Sequence, residues 1–369
     1  MAARINADGY FIKPLIPEDV LYRFEEILKE QRIEKELKES EEKYRALFEN
    51  TGTATMIIEE DRTISMVNTQ GEKLSGYSKD EIENKMKWTD FVIPDDMEKM
   101  KKYHIFRGKA GEKSPTEYEF SFIDRKGKVK DILLKIGMVP NTKKSITSLM
   151  DITKRKISEE RLKKTMDAAI DTISKIVEAK DPYTAGHQQK VSLLATAIAK
   201  ELNLSPDKVE GIRIASLIHD IGKISIPAEI LSKSITLSDI EFSLIKGHSQ
   251  IGYDILKSID FSYPVAQIIL QHHERLDGSG YPNNLKGDEI LLEAKIIGVA
   301  DVVEAMSSHR PYRPALGIDA ALEEISKNKA ILYDSKVVDA CLKIFKKKVN
   351  LNFNSIIAGL SYPLEWIKR

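Results

Sequence analysis

Histidines and aspartates at the ends of apolar helical segments constrain the C-terminal half of this chain most strongly. From residue 181 to about 349 the sequence reads as almost wholly helical, and five of the seven histidines of the chain belong to one candidate set in this region. The set comprises His187, the pair His219-Asp220, His248, the pair His272-His273, and Asp301. One such histidine would be an ordinary core residue, but burying so many imidazoles and carboxylates is unfavourable unless a cation holds them. The pattern predicts a metal site inside an all-α domain.

Length and charge limit what the whole chain can be. A chain of 369 residues predicts two or three domains. The 57 Lys and Arg residues equal the 57 Asp and Glu residues, so we expect no attraction to nucleic acid or to an anionic membrane. The single cysteine, Cys341, excludes an intramolecular disulfide and a Cys-rich zinc module. No apolar run is long enough to span a bilayer, and residues 1–6 do not lead into a signal peptide, so the sequence predicts a cytoplasmic protein.

Two motifs in the C-terminal half carry a family resemblance. His219-Asp-Ile-Gly-Lys223 resembles the HD phosphohydrolase superfamily. His272-His-Glu-Arg-Leu-Asp-Gly-Ser-Gly-Tyr-Pro282 narrows the resemblance to the HD-GYP family of cyclic di-GMP phosphodiesterases. Asp181-Pro-Tyr-Thr-Ala-Gly-His187, Lys246-Gly-His248 and Ala300-Asp301 are similar to further parts of that family's pattern. The resemblance implies an all-helical HD-GYP bundle over residues 181–349.

The resemblance also implies a ligand set and a cofactor. It makes metal ligands of His187, His219, Asp220, His248, His272, His273 and Asp301. Asp220 would bridge two divalent metals, because a carboxylate offers two oxygens. The resemblance favours iron; manganese fits the same N and O donors, and zinc, cobalt and nickel are not excluded. Some relatives hold a third metal with a carboxylate four residues before the first histidine, and here Tyr183 occupies that position.

The implied reaction is hydrolysis of cyclic di-GMP to pGpG or onward to GMP. His219, Asp220 and Lys223 would form the catalytic group, and Lys223, Arg310 and Arg313 would hold the substrate phosphates. Residues 277–282 form a turn that we interpret as a rigid lip of the cleft, where Tyr281 contacts substrate and protein partners could bind. Two alternatives stay open: hydrolysis of another cyclic dinucleotide, and a catalytically silent receptor for cyclic di-GMP.

Two further carboxylates near the motifs have an open role. Asp181 and Glu304 could each orient a ligand histidine through a hydrogen bond. Glu304 lies three residues after Asp301, so the two share a helical face. Either carboxylate could equally be an ordinary surface charge.

The region 41–155 resembles a PAS sensory domain. Strands are predicted at 55–58, 63–67, 117–123 and 128–136, with helices between the two pairs and a hairpin turn at 124–127. The phrases at 44–48, 76–82 and 151–155 are similar to the family in the same order. The ligand of this domain is not readable from the sequence. No cysteine for flavin photochemistry lies here, and His104 on a helix at 97–107 is either a haem ligand or a partly packed histidine.

Helical connectors flank the PAS-like region. Residues 1–28 resemble the last strand and last helix of a response-regulator receiver domain, with Lys13-Pro14 as the matching pair; an ordinary linker is the alternative. Residues 29–47 predict a helical linker and residues 156–180 a coiled-coil signalling helix, with apolar positions at Leu162, Met166, Ala169, Ile173 and Ile176. These repeats predict a homodimer, although a solvated helix or a core-packing helix would show similar stripes. Residues 350–369 form a C-terminal extension.

Overall fold

A computed structural model describes residues 17–107, 114–181, 186–233, 235, 237–308 and 315–346. The chain divides into two compact units, Met1–Leu162 and Lys163–Arg369. The first contains an antiparallel sheet with helices, and the second is all-helical in its described part. This is the multidomain architecture expected from the sequence. None of the described helices has the length and apolarity needed to cross a membrane.

The first unit is built on a five-stranded antiparallel sheet. Its strands are β1 (Ala54–Ile58), β2 (Ile64–Val67), β3 (Glu117–Ile123), β4 (Val129–Met138) and β5 (Ser145–Asp151), in the spatial order β2-β1-β5-β4-β3. Helices α2 (Thr69–Ser75), α3 (Lys79–Ile82) and α4 (Pro94–Arg107) lie between β2 and β3 in sequence. The four predicted strands are confirmed, and β5 was missed.

The sheet and its helices enclose the apolar core of this unit. Ile64, Ile82 and Ile132 are fully buried, and Phe91 stacks on Phe122 with ring centroids 5.3 Å apart. A cavity of about 40 Å³ remains in this core and is lined mainly by apolar side chains. His104 also lines it; its Nε2 lies 3.3 Å from the carbonyl oxygen of Glu60, and its ring lies against Trp88. His104 is therefore a partly packed residue of the cavity wall.

The N-terminal connector is one helix, α1 (Pro17–Glu49). The structure shows no break near residue 28, where we had placed the boundary between the receiver-like segment and the linker. The segment that carries Lys13-Pro14 lies outside the described residues. Apolar side chains at Leu28, Ile33, Leu37, Tyr44 and Leu47 are exposed along α1.

The second connector is helix α5 (Thr153–Lys180), and the boundary between the two units falls inside it. In the second unit, α5 packs into the helical core through Ile170, Ser174 and Val177. The predicted stripe is mostly exposed instead: Leu162 is 72% exposed, Met166 43% and Ile176 51%. Only Ile173 of that stripe packs against the core. In the second unit the helix therefore presents one apolar face to the helical core and a second one to solvent.

The second unit is a bundle of helices that follow α5. They are α6 (His187–Glu201), α7 (Pro206–Ile218), α8 (Ala228–Leu231), α9 (Asp239–Lys246), α10 (His248–Leu256), α11 (Val265–Gln271), α12 (Leu292–Ser307), α13 (Ile318–Lys327) and α14 (Ser335–Lys346). Ile198, Ile212, Ile268 and Ile297 are fully buried among them. The core lies where α6, α7, α11 and α12 pack together, and it surrounds the ends of the helices that carry the histidines.

Candidate metal centre

The seven predicted donors come from five helical segments and meet in the second unit. His187 begins α6, His219 and Asp220 follow α7, His248 begins α10, His272 and His273 follow α11, and Asp301 lies in α12. His187, His219, Asp220, His248 and His272 are 3% exposed or less. His273 and Asp301 retain 17% and 14% exposure of their side chains, so one side of the cluster is open.

Three of the imidazoles are oriented by the backbone in the same way. The Nδ1 atoms of His219, His248 and His272 lie 2.6–2.7 Å from the carbonyl oxygens of Ser216, Ile245 and Ile269, each three residues earlier in the chain. A carbonyl can only accept, so Nδ1 carries the proton in each ring. Each Nε2 lone pair is then directed into the cluster, as a metal ligand requires.

Asp220 divides the cluster into two groups of donors. Its Oδ1 lies 3.5 Å from Nε2 of His248, and its Oδ2 lies 3.5 Å from Nε2 of His219 and 3.9 Å from Nε2 of His187. Donor atoms of His248, His272 and His273 all lie within 4.8 Å of one another, and so do those of His187, His219 and Asp301. One carboxylate oxygen thus faces each group.

Glu304 is the partner of His187. Its Oε2 accepts a short hydrogen bond from Nδ1 of His187, while Nε2 of the same ring lies 3.3 Å from Oδ1 of Asp301. Glu304 is 1% exposed, and its Oε1 accepts from the Ser308 hydroxyl at 2.6 Å. It is therefore no surface charge. Asp181 is also buried, and its own carboxylate lies 3.8 Å from Nζ of Lys223.

Burial and neighbouring charges set the protonation of the cluster. Burial lowers the pKa of His272 to about 3 and holds the pKa values of His248 and His273 below their usual range, so these imidazoles are neutral. Burial opposes ionisation of Asp220, but Lys223 and the histidines hold its pKa well below normal. Burial also opposes a charge on His187, yet hydrogen bonds with Asp301 and Glu304 raise its pKa to about 9. Carboxylates that favour a proton there also favour a metal cation.

Two glycines allow the ligand-bearing segments to approach. A Cβ on Gly222 would lie 1.9 Å from the carbonyl oxygen of His248, and one on Gly298 would lie 2.7 Å from that of His272. Both distances are too short for any side chain. Glycine at these positions lets the segment after Asp220 pack on α10, and lets α12 pack on the end of α11.

Two of the predicted substrate residues lie beside the donors. Nζ of Lys223 lies 2.7 Å from Oδ2 of Asp220. The ring of Tyr281 lies 4.7 Å from that of His273, and burial raises the pKa of its hydroxyl, which stays neutral. Arg310 and Arg313 lie outside the described residues, as does Tyr183.

Glu274 fixes the loop after the His-His pair, a role that was not predicted from the sequence. This buried carboxylate accepts the backbone N–H of Asn283 at 2.7 Å and that of Leu285 at 3.0 Å. The one feature of the sequence that could have pointed to this role of Glu274 is its position directly after His273 in the motif. Glu274 therefore holds the segment that carries Tyr281 against the cluster.

The donor set fits divalent metal ions. Buried imidazole nitrogens that converge with two ionised carboxylates are the N and O ligands that transition metals take. No cysteine contributes, because Cys341 is buried in the helical core. Two groups with one shared carboxylate fit two ions.

Comparisons with known proteins agree with both units. Residues 171–337 match the family model for the HD domain, and residues 42–151 match that for the PAS fold. The chain therefore contains a PAS domain followed by an all-helical HD domain.

Three relatives match the region of the HD domain. The cyclic di-GMP phosphodiesterase response regulator RpfG of Xanthomonas campestris is 40% identical over 187 residues, which cover 50% of this chain and 48% of that protein. A cyclic di-GMP phosphodiesterase of Thermotoga maritima is 40% identical, covering 48% and 49%. The 3'3'-cGAMP-specific phosphodiesterase 3 of Vibrio cholerae is 37% identical, covering 50% and 40%. The chain thus spans about half the length of these relatives.

Proposed function

We propose that this chain is a metal-dependent phosphodiesterase of the HD-GYP type, which hydrolyses cyclic di-GMP to pGpG or onward to GMP under the control of its PAS domain. The convergence of seven histidine and aspartate donors, with Asp220 between two groups of three, carries the proposal. Two relatives with the same domain are cyclic di-GMP phosphodiesterases by name. A silent receptor would not need a complete ligand set, so the filled positions favour an enzyme.

Some residues of the site would bind metal and others would bind the substrate. His248, His272 and His273 would hold one ion and His187, His219 and Asp301 the other, with Asp220 between them. When bound, two such ions, iron or manganese, supply Lewis-acid activation of a phosphodiester and a low-pKa water. Lys223 would place a positive charge beside the reacting phosphate. Arg310 and Arg313 would bind the remaining phosphate oxygens.

A second substrate candidate has its own support. The relative of Vibrio cholerae named as specific for 3'3'-cGAMP is 37% identical to this chain over the same domain. The two cyclic dinucleotides share the phosphodiester ring and differ in one purine, so the metal chemistry would be the same. Substrate choice between them would be a matter of the base-binding part of the cleft.

The test is turnover by the full chain loaded with iron or manganese under reducing conditions. Cyclic di-GMP and 3'3'-cGAMP are incubated separately, and products are separated by chromatography. We expect pGpG or GMP, and a loss of more than about a hundredfold in His219→Ala and Asp220→Ala, since replacing even the partners of metal ligands costs about 10–100-fold. Asp254→Ala, an exposed carboxylate paired with Lys257, is the control. No product from cyclic di-GMP would refute the substrate, and full turnover by Asp220→Ala would refute the site.

The two-ion arrangement has a separate test. Metal analysis of the purified chain should give two ions per chain. Asp301→Asn should lose the ion held with His187 and His219, the group to which it belongs, and Asp220→Asn should lose both, because its two oxygens face the two groups. Three ions per chain would contradict the two-ion arrangement.

We also propose a homodimer formed through the connectors. The exposed stripe of α5 at Leu162, Met166 and Ile176, together with the exposed apolar side chains of α1, supports pairing with a second copy. Light scattering of Leu162→Glu with Met166→Glu should show a shift to monomer. Lys175→Glu, which changes an exposed residue outside the stripe, should not. We also propose the tip of the 277–282 loop, where Asp277 and Ser279 are exposed, as a contact for protein partners.

A further inference from the structure

Lys246 lies at the last turn of α9, two residues before His248, and its Nζ lies between two aromatic rings. The distance from Nζ to the ring centroid is 4.7 Å for Phe242 and 5.6 Å for Tyr281. Tyr281 in turn lies 4.7 Å from the ring of His273. Only one aromatic ring therefore separates the ammonium group of Lys246 from a donor of the metal centre.

The positive charge of Lys246 lies against aromatic rings and is not neutralised by a carboxylate of the described residues. Among the described residues no carboxylate lies within 4.0 Å of its Nζ, whereas Nζ of Lys223 lies 2.7 Å from Asp220. An aromatic face attracts a cation through its quadrupole and leaves the net charge in place. The site therefore contains a half-buried positive charge that can still pair with an anion.

The local structure keeps Lys246 in this position. Helix α9 has no fully buried residue, but a capping box formed by Ser238 and Glu241 fixes its start, and Lys233 pairs with Glu241 at 2.6 Å. At its other end, Gly247 leads directly into α10 and His248. A short helix held at both ends limits how far Lys246 can move from Tyr281.

We propose that Lys246 is a substrate-binding residue that contacts the phosphate which is not being cleaved. The inference rests on the proposed function: a cyclic dinucleotide carries two phosphodiesters, and only one of them can lie at the metal centre. The second needs cations outside the metal centre, and the ammonium group beside Tyr281 would supply one in addition to Arg310 and Arg313. Lys246 therefore adds selectivity for substrates with two phosphates over simple phosphodiesters.

The test compares a two-phosphate substrate with a one-phosphate substrate. Lys246→Met keeps the length of the side chain and removes the charge, and Lys246→Arg keeps the charge. For cyclic di-GMP we expect Lys246→Met to raise KM about tenfold with little change in kcat, as expected for the loss of one charge-assisted contact. Lys246→Arg should have a KM for cyclic di-GMP close to that of the wild type. Hydrolysis of bis(p-nitrophenyl) phosphate, which has a single phosphodiester, should be unchanged in both variants.

Lys257→Met is the matched control, because Lys257 also lies over a ring, that of Tyr253, but is paired with Asp254 at the far end of α10. An unchanged KM in Lys246→Met overturns the inference. An equal loss on both substrates, together with lower metal content, also overturns it, since it would mean that Lys246 only supports Tyr281. Wild-type enzyme that hydrolyses bis(p-nitrophenyl) phosphate but neither cyclic dinucleotide would instead refute the proposed function, and this inference with it.

Discussion

Glu304 in α12 accepts a hydrogen bond from Nδ1 of His187 in α6, and both side chains are almost fully buried. The contact leaves Nε2 of His187 directed toward Asp301 and Asp220. It joins two helices at the metal centre and fixes the orientation of the first donor in the chain.

We expect Glu304→Gln to weaken metal binding about 10–100-fold, because a neutral amide stabilises the oriented imidazole less than a carboxylate does. Competition with a chromogenic chelator measures the affinity. Glu293→Gln is the control, since Glu293 lies in the same helix and pairs with Lys208 instead. Equal affinities for the wild type and Glu304→Gln would contradict the orienting role.

Gly298→Ala tests the close approach of α12 to the end of α11. Helix propensity alone predicts that alanine stabilises the helix by about 1 kcal/mol. The new Cβ would meet the carbonyl oxygen of His272 at 2.7 Å, and such overpacking costs about 1–3 kcal/mol. We expect the clash to dominate, so the free energy of unfolding in urea should fall and metal affinity should fall with it. Gly52→Ala, where the Cβ meets nothing within 4 Å, should do neither.

Cys341 should be chemically silent in the folded chain. Burial raises the pKa of its thiol to about 12, so about one thiol in ten thousand is ionised at pH 8. Ellman's reagent should find no reactive thiol in the native protein and one per chain in guanidinium chloride. Rapid labelling without denaturant would show that the helical core around α14 opens readily.

The Glu210–Arg213 pair should make stability depend on pH. The hydrogen bond from Arg213 holds the pKa of Glu210 below its ordinary value, although partial burial opposes this. A lowered folded-state pKa stabilises the fold above the unfolded value of about 4.3, and this contribution is lost as the pH falls through the folded-state value. Glu210→Gln should therefore unfold at lower urea than wild type at pH 7, with the gap narrowing below about pH 4.

Glu229→Gln, a change at an exposed residue of α8, is the control for that series. A gap between wild type and Glu210→Gln that stays constant from pH 7 to pH 3.5 would show that the pair acts through packing and not through charge.

The residues of the candidate metal site could be grouped from the sequence, because each histidine and aspartate lies beside an apolar helical run. Glu304 and Glu274 could not be distinguished from surface charges in this way. Both are acidic side chains within helical or loop segments, and only the neighbouring helix or loop shows that they are buried and paired.

Strand β5 and the buried face of α5 were harder to predict from the sequence, for a different reason. In β5 the buried side chains are Ser145, Thr147 and Leu149, while Ile146 and Met150 are exposed, so both faces carry apolar residues and the usual alternation is lost. In α5 the sequence shows an apolar stripe, but periodicity does not reveal which face meets the core. The structure buries Ile170 and Val177 there.

The backbone contacts of His219, His248 and His272 have a consequence for how this site should be studied. The last carbonyls of a helix have no N–H partner within the helix. Here the imidazole N–H groups of His219, His248 and His272 are the partners of carbonyls in the last turns of α7, α9 and α11. Each of these residues is therefore a helix cap as well as a proposed metal ligand. Exchange for alanine removes both roles at once, so part of any loss of activity reflects frayed helix ends. Asparagine, whose amide can still reach a carbonyl, separates the two.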